Sequence, residues 1–287
     1  MTMFLDLRAI PSGGFVAHDV TVRDTSTGAA LALDEFERRT RGRKLVLATH
    51  GFNVNSEEGL SELGKWDALC ALPEPWAYVG VLWPGDSIFL PLLDYPLEGL
   101  VALDSGRLLA RFLNDHAAGA ASISLVSHSL GARTVLETIQ NLKRRVAVLV
   151  LMAGAIEDDC LSNEYAQAMK QVAQVHVLAS RSDWVLKAAF PLGNLVGEIL
   201  MHGHPYFRAA LGLQGPHSVA EIEAFYQLWQ IPDDWDYGHG DYLPGQQVEP
   251  RMAPPLPVPV SDAPLPRATA HWKPCWSAGV IASQFER

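Results

Sequence analysis

Cysteine is scarce in this chain, with only Cys70, Cys160 and Cys275 among 287 residues. Three scattered thiols make neither a disulfide framework nor a metal knuckle, so a reducing compartment fits and no metal site is expected. Basic residues are also in deficit, 22 Lys and Arg against 32 Asp and Glu, for a net charge of -10. A nucleic-acid surface needs a basic stripe along its phosphates, and this balance argues against such a partner. The densest basic clusters are Arg38, Arg39, Arg41, Arg43 and Lys44, then Lys143, Arg144 and Arg145. Each precedes an apolar, strand-like run, so they read as solvated turns or helix ends. An acidic chain also repels anionic lipid headgroups.

Long hydrophobic runs are missing too. The longest, Val146 to Ile156, falls well short of the roughly 20 residues that cross a bilayer. The opening M-T-M-F-L-D-L-R-A-I places Asp6 and Arg8 where a signal peptide needs apolar residues, and it has no basic leader. The expectation is a cytoplasmic chain without a membrane span. What is present is a globular balance, 48% apolar and 19% charged. At this length folding buries roughly 75% of the unfolded surface, enough for a sizeable core.

Short β-rich runs alternate with helical ones, the pattern of a mostly parallel sheet covered by helices on both faces. The expected strands are Phe4 to Ile10, His18 to Val22, Leu45 to His50, Ala77 to Trp83, Ile123 to Ser127, Val146 to Met152 and Val175 to Ala179. Several are apolar almost throughout, as strands buried on both faces should be. Leu97, Leu100, Val101, Leu108, Leu109, Phe112 and Leu113 recur at helical spacing, as do Val135, Leu136, Ile139 and Leu142. Trp184 to Met201 is apolar but interrupted by Pro191, Gly193 and Gly197, which suits a broken helix or a cap over a pocket. From Pro244 prolines crowd the chain, so residues 1–243 are expected to form the domain and 244–287 a Pro-rich tail or strap. Trp272, Pro274 and Trp276 suggest that part of that tail packs.

Chemistry enters at Ile123 to Arg133, I-S-L-V-S-H-S-L-G-A-R, where a strand turns into a helix through Ser127-His128-Ser129-Leu130-Gly131. A tight strand-to-helix turn pushes a serine hydroxyl out at the sheet edge and strains its backbone, so small residues are needed two before and two after. Ser127 and Gly131 are small, although glycine is usual at both places. A helix N-cap is the bland alternative for Ser129. The strand Leu45 to His50 ends in His50-Gly51-Phe52-Asn53, where glycine permits close approach and the Phe52 N–H, with that of Leu130, could face a developing oxyanion. The next strand ends in Trp83-Pro84-Gly85-Asp86, a turn that could line the mouth of the same region or be no more than a turn with a packed tryptophan.

H-G-F-N after one strand, W-P-G after the next and S-H-S-L-G before a helix, in that order, resemble the α/β-hydrolase superfamily. In particular they resemble a bacterial branch of uncharacterised hydrolases carrying H-G-F-N. The resemblance runs from about Arg43 to Leu243 and implies an α/β-hydrolase fold with Ser129 as nucleophile, Phe52 and Leu130 as oxyanion donors, and an acid and a histidine after the serine. His50, Gly51, Asn53, His128 and Trp83 would line the site, His50 holding the loop.

Asp183, closing the strand Val175 to Ala179, is the first choice of acid; Asp158 and Asp159 are alternatives. The histidine is sought among His202, His204, His217, His239 and His271, and His239, flanked by glycines in Y-G-H-G-D-Y, resembles the family's final histidine segment. Such a set cleaves an ester through an acyl-enzyme, with a small, apolar acyl compound as substrate and no cofactor. Trp184 to Met201, Phe89, Leu90 and Leu92 would supply an apolar acyl or aromatic pocket, although core packing explains the same residues equally well. An acyltransferase or thioesterase would use the same residues, and a silent binding module could keep the scaffold alone.

Overall fold

The computed structural model describes residues 3–10, 14–25, 28–86, 91–189, 209–219, 222, 225–244 and 272–285, with the backbone alone for 91–98 and 189. Eight strands form one sheet: β1 (Met3–Arg8), β2 (Val16–Asp24), β3 (Lys44–Thr49), β4 (Trp76–Leu82), β5 (Ser122–His128), β6 (Val146–Met152), β7 (Val172–Ser180) and β8 (Phe225–Ile231). Their spatial order is β2-β1-β4-β3-β5-β6-β7-β8. Only β2 pairs antiparallel, against β1; every other neighbouring pair is parallel.

The central strands explain the two-sided burial that their apolar runs imply. Leu45, Leu47, Leu125, Leu149 and Leu151 point into one core. The alternate positions Val46, Ala48, Val126, Val148 and Val150 point into the other. Each face is then covered by helices, because parallel strands can be joined only by crossovers that lie on the faces. Helix α3 (Pro91–His116) packs on α4 (Gly131–Asn141) over the first core. Helix α2 (Ser56–Cys70) lies over the second, against a C-terminal helix numbered α7 (Lys273–Ala282). Among the described residues there are also three shorter α-helices: α1 (Leu33–Thr40), α5 (Ala166–Met169) and α6 (Leu211–Gln214).

Most expected strands are present with shifted ends. β1 stops at Arg8 rather than Ile10, whose side chain is exposed, and β2 runs well beyond His18 to Val22 at both ends. β8 was not anticipated: F-Y-Q-L-W-Q-I mixes glutamines into an edge strand that is only half-buried. Helix α2 was also missed, although it carries a clear start signal. Asn55 accepts from the Glu58 N–H at 2.9 Å and Glu58 reaches back to the Asn55 N–H at 3.2 Å. The basic cluster at the end of α1 is paired: Arg39 meets Asp24 and Glu35, Arg38 meets Glu35, and Arg43 meets Glu74. Among the described residues no helix is long and apolar enough to cross a membrane.

The chain leaves β3 toward β4 on one side and reaches β5 on the other, so the β3 and β5 loops meet at a topological switch point, the place where open α/β sheets put their ligands. Thr49 pairs with Ser127 and Met152 with Leu178, so β3, β5, β6 and β7 end nearly level. Their following loops therefore collect along one sheet edge.

Candidate active site

At the end of β5 Ser129 takes φ 54°, a left-handed conformation for a residue with a Cβ. Holding it costs on the order of 1–3 kcal/mol, so the surroundings must impose it. The Ser129 N–H donates to Met152 O at 2.9 Å, and its own carbonyl accepts from Ala132 and Ala155. Gly131 permits the turn, since a Cβ there would meet His50 O at 2.4 Å. Gly51 does the same from the facing loop, where a Cβ would lie 2.9 Å from both Ser129 Cβ and His128 Nδ1. The H-G-F-N loop and the serine turn are thus interlocked by two glycines. Ser127, at the position where glycine is usual, is fully buried without distorting the strand.

The Ser129 hydroxyl lies 2.7 Å from His239 Nε2, and His239 Nδ1 lies 2.7 Å from Asp183 Oδ2. With a carboxylate on the Nδ1 side, that nitrogen carries the proton and Nε2 is free to accept from the serine. Asp183 is wholly buried and its other oxygen accepts the Leu186 N–H at 3.0 Å, capping a short π-helical turn, Val185–Ala189. The N-cap role and the contact to His239 therefore coexist on one carboxylate. Of the alternatives, Asp159 accepts from the Asn163 amide, while His217 is largely exposed and 4.0 Å from Asp158; neither group is joined to Ser129. His202, His204 and His271 lie outside the described residues, as do 190–201, Phe89 and Leu90, and for Leu92 only the backbone is described. Of the expected apolar stretch the first residues are described: Trp184 is 72% exposed, while Leu186 is buried in the second core.

His128, beside the serine, donates from Nε2 to His239 O at 2.7 Å, and the two rings are 5.0 Å apart. Loss of hydration, reinforced by the neighbouring His239, lowers its pKa to about 3, so it is a neutral donor of fixed tautomer. Ser180, at the end of β7, donates to Tyr237 O at 2.6 Å. The loop bearing His239 is thereby pinned to both β5 and β7.

His50 is wholly buried beneath the H-G-F-N loop, with Nδ1 2.8 Å from Gly51 O and its carbonyl accepting from Trp83 Nε1 at 2.9 Å. It makes no contact with Ser129 of the kind His239 makes. Asn53, at φ 57°, donates its N–H to Gly85 O at 2.6 Å, joining the H-G-F-N loop to the W-P-G turn. Below them Arg8 is buried, bonded to Asp86, and it donates to Val54 O at 2.6 Å. In the sequence Arg8 speaks only against a leader peptide. A charge inside the apolar run of β1 was the available signal that it has buried partners.

Burial, with Arg8 adding to it, lowers the pKa of His50 from 6.5 to about 3. The unfolded chain takes up that proton below about pH 6.5 and the folded protein does not until about pH 3. His50 therefore lends stability that is intact above pH 6.5 and is lost as pH falls, by about 1.4 kcal/mol per pH unit. Urea unfolding of wild type and His50→Gln is expected to show this as a difference in slope between pH 6.5 and 4.5. Parallel slopes would mean that His50 protonates normally in the folded state.

The sequence matches the family described as "Alpha/beta hydrolase of unknown function" (DUF900) over residues 27–244. No curated protein matches it. Among solved structures, acetyl xylan esterase 1 from Thermoanaerobacterium sp. is similar at TM-score 0.40 and 11% identity, over 83% of this chain and 82% of that one. A thermophilic esterase from Thermogutta terrifontis gives 0.39 and 10%, over 73% and 76%. A Pyrobaculum calidifontis esterase gives 0.38 and 11%, over 86% and 76%. Likenesses at that level carry nothing about activity.

Proposed function

This chain belongs to the α/β hydrolases of unknown function, and from that premise we propose that it is a serine hydrolase that cleaves a carboxylic ester through an acyl-enzyme. The observation that carries the reading is the hydrogen-bonded line from Ser129 Oγ through His239 to Asp183, with both contacts at 2.7 Å, set on a strained turn at the carboxyl edge of the sheet. A strained serine turn is held at a cost to stability, and a serine aimed at a neutral imidazole backed by a buried carboxylate is what nucleophilic acyl transfer requires.

In this reading Ser129 Oγ attacks the acyl carbonyl as His239 Nε2 takes its proton. Asp183 keeps the imidazole in the accepting tautomer and stabilises the imidazolium that forms. The backbone N–H groups of Phe52 and Leu130 hold the oxyanion, each contributing on the order of 10²- to 10³-fold in rate. His239 returns the proton to the departing alcohol, and water then repeats the cycle on the acyl-serine. Nothing in these steps requires a metal or an organic cofactor.

A p-nitrophenyl ester series from acetyl to decanoyl tests the reading, with products separated in the presence of a competing alcohol and a competing thiol. Free acid as the main product, with kcat/KM rising along the shorter chains, is expected. Transfer of the acyl group to the alcohol would make the protein an acyltransferase, and preference for a thioester would make it a thioesterase. Absence of turnover on every member would leave the scaffold as a binding module.

A further inference from the structure

Tyr237 to Tyr242, the segment that presents His239, is an irregular turn and one turn of 3₁₀ helix (His239–Tyr242), with little regular pairing for its carbonyls. Buried carbonyls of that kind need partners from elsewhere. Three carbonyls of the segment, on Tyr237, His239 and Tyr242, and that of the exposed Asp236 just before it, accept from side chains of other segments. Ser180 and His128 serve Tyr237 and His239 from within the sheet. The other two are served by the C-terminal segment, which lies beyond residue 244, where the family match ends.

Lys273 Nζ donates to Asp236 O at 2.5 Å and to Asp241 Oδ2 at 2.7 Å. One ammonium thus closes on both sides of His239, at a carbonyl before it and a carboxylate after it. The same Asp241 oxygen also accepts the Gly238 N–H at 2.7 Å, which sets the start of the 3₁₀ turn. Tyr237 OH donates to Lys273 O at 2.6 Å, and Ser277 Oγ to Tyr242 O at 2.7 Å. Behind these bonds Trp235, Trp272, Trp276 and Tyr237 pack edge to face, with Trp276 and Tyr237 buried. The Lys273 side chain is 13% exposed, so its charge is held rather than loosely placed.

We propose that the C-terminal segment is an internal clamp on the histidine loop, and that Lys273 is a positioning residue which holds His239 in line with Ser129. The proposal rests on the reading of Ser129 and His239 given above. Lys273 touches neither reacting atom. It acts by fixing the backbone on either side of the imidazole, and a displacement of about 1 Å at a reacting group can cost on the order of 10²-fold in rate. The same arrangement gives residues beyond the family's span a function inside the site.

Lys273→Met keeps most of the aliphatic stem against Tyr237 and removes the ammonium, while Lys273→Arg restores a donor. Ester turnover, the rate of fluorophosphonate labelling and deuterium exchange of residues 236–243 are measured on full-length proteins, well below each melting temperature. For Lys273→Met the clamp predicts faster exchange in 236–243, kcat and labelling rate down about 10- to 100-fold, and KM unchanged, with Lys273→Arg recovering most of the loss. Should Lys273→Met fail to fold, Ser277→Ala, which removes the hydroxyl that bonds Tyr242 O and, within its own helix, Pro274 O, carries the same test with a smaller loss. Unchanged kcat and labelling, or faster exchange with no change in rate, overturns the clamp alone. Wild-type protein inert to both ester and phosphonate overturns the hydrolase reading on which the clamp rests.

Discussion

Ser129→Ala is expected to lower kcat on an activated ester by on the order of 10⁴-fold or more while leaving KM and the melting temperature close to wild type. The size follows from the place of Oγ in the chemistry. Without it no acyl-enzyme forms, and what remains is the smaller acceleration from oxyanion donors and positioning. Stability should not fall, because the hydroxyl contributes one hydrogen bond, to His239, at a site held in a left-handed conformation by its backbone bonds and by Gly51 and Gly131. Alanine has no greater difficulty at φ 54° than serine. A variant that keeps turnover within tenfold of wild type would place the nucleophile elsewhere.

Asp183→Asn is the second large effect, with kcat falling on the order of 10³- to 10⁴-fold. Geometry decides which way the new amide faces. One Asp183 oxygen accepts the Leu186 N–H, so the asparagine carbonyl must stay there to avoid orphaning a buried donor. The amide NH₂ then faces His239 Nδ1, which can only accept from it. The imidazole is driven to the tautomer protonated at Nε2, and that nitrogen can no longer take the proton of Ser129. The loss should therefore appear in kcat more than in KM. Asp158→Asn and Asp159→Asn, in the neighbouring loop, should stay near wild type. The reverse pattern, an active Asp183→Asn and an inert Asp158→Asn, would move the acid to the preceding strand.

Much of this is legible in the amino-acid sequence, and the reasons differ by element. β3 and β6 announce themselves because strands buried on both faces are mostly apolar, and K-L-V-L-A-T and V-A-V-L-V-L-M are nearly uniform, whereas β5, S-I-S-L-V-S-H, buries Ser124 and Ser127 among its apolar residues and is marked by the turn that follows it. β8 was invisible for the converse reason: an edge strand half in solvent tolerates Gln227 and Gln230 and shows no continuous run. Ser129, Asp183 and His239 were nameable because each follows a strand or occupies a glycine-flanked turn, which are local signals. The supports of the site were not. Arg8 bonds Asp86 and the backbone of Val54, while Lys273 bonds Asp241, across distances in sequence that no periodicity reports. The proline-rich composition from residue 244 reads as a strap or linker, with Trp272, Pro274 and Trp276 hinting that part of it packs, and Trp276, Val280 and Ile281 are buried in the second core. A composition of that kind describes the connection and hides the helix at its end.

The central claim is that Ser129 is an activated nucleophile, and covalent labelling tests it with no assumption about the natural substrate. Intact full-length protein is treated with a fluorophosphonate, weighed, digested and mapped. One adduct per chain is expected on the peptide carrying Ser129, absent from Ser129→Ala and much slower to form in His239→Ala. An unlabelled wild type, or an adduct on any other residue, would contradict it.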